Sequence, residues 1–122
     1  MASARFELYQ VPPAERASAG EVTWRLLSSN NRDLGRAATA FPDAPSCQLM
    51  VRRLQSLVGE VAVVQQRAGR VDWCWRVRLN GLDIAVSSRT YQRRIQAQSA
   101  CAVFLALVPE AHVAPAPRLA RC

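Results

Sequence analysis

The sequence predicts an α+β fold. Two tandem β-β-β-α repeats form one antiparallel sheet, two helices pack on one face of it, and the halves are related by internal pseudo-twofold symmetry. Three observations carry this. First, WRLLSSNNRDLGRAATAF (Trp24 to Phe41) is matched by WRVRLNGLDIAVSSRTY (Trp75 to Tyr91). Trp24 and Trp75 are 51 positions apart, Asp33 and Asp83 are 50 apart, so the first copy has one extra residue in its turn. Second, an apolar stripe with helical spacing follows each copy. Third, a short β-prone run precedes each: ARFELYQ and EVAVVQQ. The expected organisation is a single domain, residues 1–108, made of repeats 4–59 and 60–108, then a flexible Pro- and Ala-rich C-terminal tail, residues 109–122.

The second hairpin is the best specified element. Asn80-Gly81 suits a type I′ turn, which requires positive φ at both central residues. A two-residue turn there sets Leu79 opposite Leu82, Arg78 opposite Asp83, Val77 opposite Ile84 and Trp75 opposite Val86. Trp73, Trp75, Val77, Leu79, Leu82, Ile84 and Val86 then share the buried face. Cys74, Arg76, Arg78, Asp83, Ala85 and Ser87 share the wet one. Arg78 faces Asp83 and Arg76 is left unpaired. The tryptophans belong to the core, because rings that stack on nucleic-acid bases must stand exposed. The first hairpin replaces Asn-Gly by Ser28-Ser29-Asn30-Asn31-Arg32, a looser turn, and sets Arg36 where the second has Val86.

Each hairpin leads into a helix. In the first, Cys47, Met50, Val51, Leu54, Leu57 and Val58 form one stripe. Asp43 suits the N-cap, Pro45 the first turn and Gly59 the C-terminal stop. The second runs from about Gln92 to Val108, with Ala97, Ala100, Cys101, Phe104, Leu107 and Val108 inward and Pro109 ending it. VPPAERASAG after the first strand reads as a loop. In the tail, His112 is expected to be solvated and Cys122 to be the most exposed thiol.

Composition narrows the class. All 16 basic residues are arginine, against nine acids, for a net charge of +7. That charge attracts polyanions whatever its origin, and codon usage in a GC-rich genome explains a complete absence of lysine. The four cysteines, Cys47, Cys74, Cys101 and Cys122, lie far apart in sequence with no CxxC, and the one histidine, His112, sits in the tail. This spacing argues against a zinc site, and reduced packed thiols are expected. The longest apolar run, Ala100 to Val108, is nine residues, about half a membrane span. With no apolar leader in MASARFELYQ, a cytoplasmic protein is expected.

The order FELYQ, TWRLLSSNN-RDLGRAATAF, helix, then VAVVQQ, WRVRLNGLDIAVSSRTY, helix, resembles the YegP-like family, small bacterial and archaeal proteins built from tandem copies of a domain of unknown function. The resemblance covers about Arg5 to Val108. Asn80-Gly81, Ser87-Ser88 and Tyr91 look like the family's hairpin and post-hairpin motif. It implies the fold given above and brings no catalytic residue. This chain departs from the pattern at Met50-Val51 and Ala100-Cys101, where the family has a glycine followed by isoleucine.

The function expected from this reading is a small non-catalytic interaction module, with an unknown protein partner or a second copy of itself. No catalytic, cofactor-binding or metal-ligating residue is assigned, since the acids are scattered and no Gly-rich phosphate loop appears. No membrane and no small-molecule substrate is implied. The alternative is non-specific nucleic-acid binding through arginine patches. Arg52 and Arg53 on the first helix and Arg93 and Arg94 opening the second would form two symmetric patches, with Arg76 on the open sheet face as a further contact.

Overall fold

The computed structural model describes residues 4–11 and 20–114. Three strands, β1 (Arg5–Gln10), β2 (Val22–Leu27) and β3 (Asp33–Ala37), lead into helix α1 (Ala44–Leu57). Three more, β4 (Ala62–Ala68), β5 (Asp72–Leu79) and β6 (Leu82–Val86), lead into α2 (Arg94–Leu107). A short 3-10 turn follows each helix, Val58–Glu60 and Val108–Glu110, and a last strand, β7, covers His112–Val113. The sheet order is β4-β5-β6-β3-β2-β1-β7.

Neighbouring strands are antiparallel except at one edge, where β7 runs parallel to β1, so the sheet is mixed. This corrects the expectation of a wholly antiparallel sheet, and of a tail beginning at residue 109. His112 N donates to Ala4 O at 3.0 Å and Ala114 N donates to Phe6 O at 3.2 Å. Val108 and Ala111 are buried. Pro109 ends the helix as expected, but the chain then gains ladder bonds and apolar cover by turning back along β1. His112 itself is exposed. Residues 115–122, with Cys122, and most of the expected Val11–Gly20 loop lie outside the described residues.

The strand pairings of the two halves correspond position by position. Leu26 pairs with Gly35 and Val77 with Ala85; Arg25 pairs with Arg36 and Arg76 with Val86. The isolated bridges Val22–Phe41 and Trp73–Tyr91 correspond as well. The halves meet where Arg36 pairs with Val86, two positions that are each other's counterpart.

Asn80 (φ 53°) and Gly81 (φ 81°) both take the left-handed conformation that a type I′ turn needs. Leu79 faces Leu82 and Arg78 faces Asp83, as expected, but the register shifts at the next step. Ile84 is an extra residue in the ladder, and Val77 pairs with Ala85 instead. Beyond a bulge the faces exchange, which is why Ala85 is fully buried; Leu82, beside the turn and before the bulge, is 70% exposed although it was expected on the buried face. The first hairpin has its irregularity at the corresponding place, between Leu26 and Leu27, with Leu34 as the extra residue.

Trp24 and Trp75 are fully buried in one core beneath both helices, together with Phe6, Leu8, Leu26, Val77, Leu54 and Phe104. Phe104 lies between the two indoles, 4.8 Å from Trp75 and 6.4 Å from Trp24 by ring centroids. Gly35 makes this possible: a Cβ there would stand 2.7 Å from both Phe104 and Trp75. Asp43 caps α1, its Oδ1 accepting from Ser46 N at 2.8 Å. Gly59 does not stop the helix in a left-handed turn; the chain tightens into the 3-10 turn instead. The second helix begins at Arg94, two residues later than expected, with Arg93 as its N-cap.

Candidate functional site

The arginines fall into two environments. The first is the open face of the sheet. Glu7 accepts from Arg25 Nε at 2.9 Å and from its NH2 at 2.6 Å. Asp33 lies 3.8 Å from Arg25 and 3.9 Å from Arg36. Ser88 Oγ also donates to Asp33. Asp83 holds two arginines, Arg76 at 2.9 Å and Arg78 at 2.6 Å. Arg76, expected to be unpaired, is therefore neutralised by the carboxylate of its neighbour's cross-strand partner. The hydrogen bond from Arg78 is the largest cause holding Asp83 below the usual carboxylate range. Partial burial works against the charge of Arg25, but its bonds to Glu7 outweigh that and push its pKa up. Charges fixed to each other in this way have little left for an outside anion.

The second environment lies around the start of α2. Trp73, at the beginning of β5, bridges Tyr91, so the sheet brings together residues from four stretches of chain. Arg67 from β4 lies over the Trp73 ring at 4.7 Å, and Arg94 lies over the same ring at 5.8 Å. Arg89 lies over Tyr91 at 5.3 Å. Arg93 and Arg70 are exposed close by in sequence. Among the described residues, none of Arg67, Arg89, Arg93 and Arg94 has a carboxylate within ion-pair distance; the ion pairs lie on the open face. The nearby acid, Asp72, accepts from Thr90 Oγ1 at 3.4 Å. A cleft of about 550 Å³ opens beside the cluster, lined by Arg89, Thr90, Tyr91, Gln92, Ile95, Gln96 and Ser99. Burial is the largest influence on the Tyr91 hydroxyl and raises its pKa, so it stays a neutral group in the cleft wall.

The helix start adds to the field. In α1, the Asp43 carboxylate occupies the positive end of the helix. The counterpart of Asp43 in α2 is Arg93, whose side chain has no acceptor, and Arg93 N is satisfied by Gln96 Oε1 at 3.1 Å. Backbone dipole and guanidinium groups thus favour an anion together at this end.

The structure does not build the two symmetric patches expected from sequence. Arg52 and Arg53 lie two turns into α1, exposed, whereas the counterparts of Arg93 and Arg94 are Asp43 and Ala44. Arg93 and Arg94 do join a cluster, and its other members, Arg67, Arg89, Trp73 and Tyr91, were missed. One signal was available: setting the copies side by side puts Arg89, Arg93 and Arg94 against Thr39, Asp43 and Ala44.

Cys47 and Cys101 are buried, and desolvation pushes both thiols up to about 12. Cys47, Cys74 and Cys101 are free of disulfides. Among the described residues, no group of three or more His, Cys, Asp or Glu is placed to hold a metal ion, and no helix is long and apolar enough to cross a membrane.

No family model matches this chain. No curated protein matches it either. Among solved structures it is similar to the solution NMR structure of yegP from E. coli, described as a protein of unknown function. The TM-score is 0.74 at 12% sequence identity, over 100% of this chain and 98% of that one. The two share a fold over their whole length, as the sequence resemblance implied, and at this identity the likeness speaks of fold alone.

Proposed function

We propose that this protein is a non-catalytic binding module that takes up nucleic acid without reading its sequence, through the arginine cluster around Trp73 and Tyr91. The observation that carries this is the pair of guanidinium groups, Arg67 and Arg94, held against one ring without an acid to neutralise them. Guanidinium planes resting on aromatic rings are positioned at low entropic cost; one amino group of Arg67 donates to the carbonyls of Arg70 and Val71, and the remaining donors of Arg67 and Arg94 would fork onto phosphate oxygens. Arg89 and Arg93 extend the same positive surface beside the helix start. The non-catalytic part of the reading is supported by how the acids of the open face are used: Glu7, Asp33 and Asp83 are each committed to arginine.

Gel retardation of random single- and double-stranded oligonucleotides at about 150 mM salt tests this. Arg67→Glu with Arg94→Glu is expected to abolish retardation, while Arg52→Glu with Arg53→Glu leaves most of it. Equal losses from both pairs would show that net charge alone is responsible and would overturn the assignment. Each phosphate contact removed from duplex DNA should also lower the slope of log affinity against log salt by about 0.9.

A further inference from the structure

Each half has a groove between its helix and its outer strand, and the two grooves are occupied differently. In the first half the groove is filled by the chain itself. The turn Val108–Glu110 and β7 lie along α1 and β1, held by the ladder bonds to Ala4 and Phe6 described above. Gln48 Nε2 donates to Ala114 O at 3.2 Å. Gln55 Nε2 donates to Val108 O at 3.0 Å and to Ala111 O at 2.9 Å. Under this cover Phe6 and Leu8 are fully buried.

The pairings fix the equivalence. Phe6 faces Leu26 as Val63 faces Val77, and Leu8 faces Trp24 as Gln65 faces Trp75. Val63 is therefore the counterpart of Phe6, and Gln98 on α2 is the counterpart of Gln48. The second groove, of about 350 Å³, is lined by Val63, Gln65, Gln98, Cys101, Ala102 and Leu105. Val63 is 39% exposed where Phe6 is fully covered. β4 ends the sheet, so among the described residues no strand pairs with its outer edge. The carbonyls that correspond to Ala4 and Phe6 are those of Val61 and Val63.

We propose that this groove takes an extended segment of a partner protein, added parallel to β4 as β7 is added to β1. The filled groove displays the chemistry of the occupant. Its backbone offers N–H groups at alternate positions, His112 and Ala114. The small apolar residues Ala111 and Val113 pack into the core, while His112 faces outward. The lining of the open groove carries no ionised side chain, so the inward residues of the segment are uncharged and small or β-branched. Main-chain bonds to Val61 and Val63, with a carbonyl accepting from Gln98, hold it, and the inward positions select it. None of these residues belongs to the arginine cluster, so the two sites stand or fall separately.

A synthetic peptide with the sequence VPEAHVA, that of Val108–Ala114, titrated into the isotope-labelled full chain tests this by NMR. Saturable shifts are expected at the amides of Val63, Gln65 and Gln98. Gln98→Ala should weaken the peptide roughly fivefold, the worth of one hydrogen bond. Val63→Asp, at a partly exposed site, should abolish binding while the spectrum stays folded. A peptide with proline in place of His112 and Ala114, which removes both donors, should not bind. Shifts confined to Phe6 and Leu8 would mean that the peptide merely displaces β7. Protein-concentration-dependent broadening along β4 without peptide would make a second copy the occupant. Either result, or no shift at millimolar peptide, overturns the proposal.

Discussion

The two halves carry different chemistry on matching backbones. Where the first has Val22, Thr39, Phe41, Asp43 and Ala44, the second has Trp73, Arg89, Tyr91, Arg93 and Arg94. In the first half the Asp43 carboxylate satisfies the helix start, and β7, arriving from beyond α2, fills the groove. The second has no carboxylate at its helix start and, among the described residues, no strand along the outer edge of β4. The core differs too: Gly35 with Phe104 in one place, Ala85 with Leu54 in the other. There the volume added by a phenyl ring is offset by the absence of a methyl group. Inside, the differences compensate each other; outside, they accumulate on one half. A shared scaffold thus constrains the layer around the tryptophans and leaves the surface of each half to diverge.

The largest expected effect comes from that shared layer. Trp24→Ala and Trp75→Ala should each cost about 3–5 kcal/mol, measured by urea unfolding. Both should weaken the whole molecule, since each indole packs in the one core. Amide exchange showing that either variant loosens its own half alone would break the comparison, because the halves would then be separate cooperative units.

Next is the compensating pair. Gly35→Ala should cost about 1–3 kcal/mol through overpacking against Phe104 and Trp75. Phe104→Leu, which installs the residue found at the corresponding place in α1, should recover part of that loss in the double variant. Strictly additive losses would show that the exchange at the two positions is coincidental.

The thiols sharpen the contrast between core and surface. Cys74, half-buried on the sheet, should alkylate in the folded protein, whereas Cys47 and Cys101 should react only on unfolding. Their folded pKa values, near 12, lie above the unfolded value of about 8.5. The stability they confer is complete below about pH 8.5 and declines above it, because the unfolded chain releases those protons first. Cys47→Ala with Cys101→Ala should flatten that alkaline decline; an unchanged decline would place its origin elsewhere.

The smallest effect is at the helix start. Hydrogen bonding to Ser46 holds the Asp43 carboxyl below its ordinary value, so its contribution is present above about pH 4 and is lost as acid protonates it. Asp43→Asn, which keeps a capping oxygen, should remove that part of the acid dependence with less loss of melting temperature than Asp43→Ala.

What could be read from sequence was whatever is encoded within a few adjacent residues. Asn80-Gly81 announced its turn, Asp43 its cap, and the periodicity of Cys47, Val51 and Leu54 its buried stripe. The bulges at Leu34 and Ile84 could not be read, because an extra residue in a ladder shows only when the partner strand is in place. β7 escaped because two residues between prolines have no pattern of their own; its partner, β1, lies at the other end of the chain. The arginine cluster escaped for the same reason, being gathered from β4, β5, the Arg89–Tyr91 segment and α2 by the bridge between Trp73 and Tyr91.

The most direct measurement gives the second half the surface of the first. Arg89→Thr, Arg93→Asp and Arg94→Ala install the counterpart residues, all at exposed positions where the fold should persist. Nucleic-acid affinity is then measured across a salt series against the unaltered chain. Weakened binding, with the salt slope on duplex DNA falling by about 2.7, is the predicted result. A triple variant that binds with unchanged affinity and slope would contradict the account.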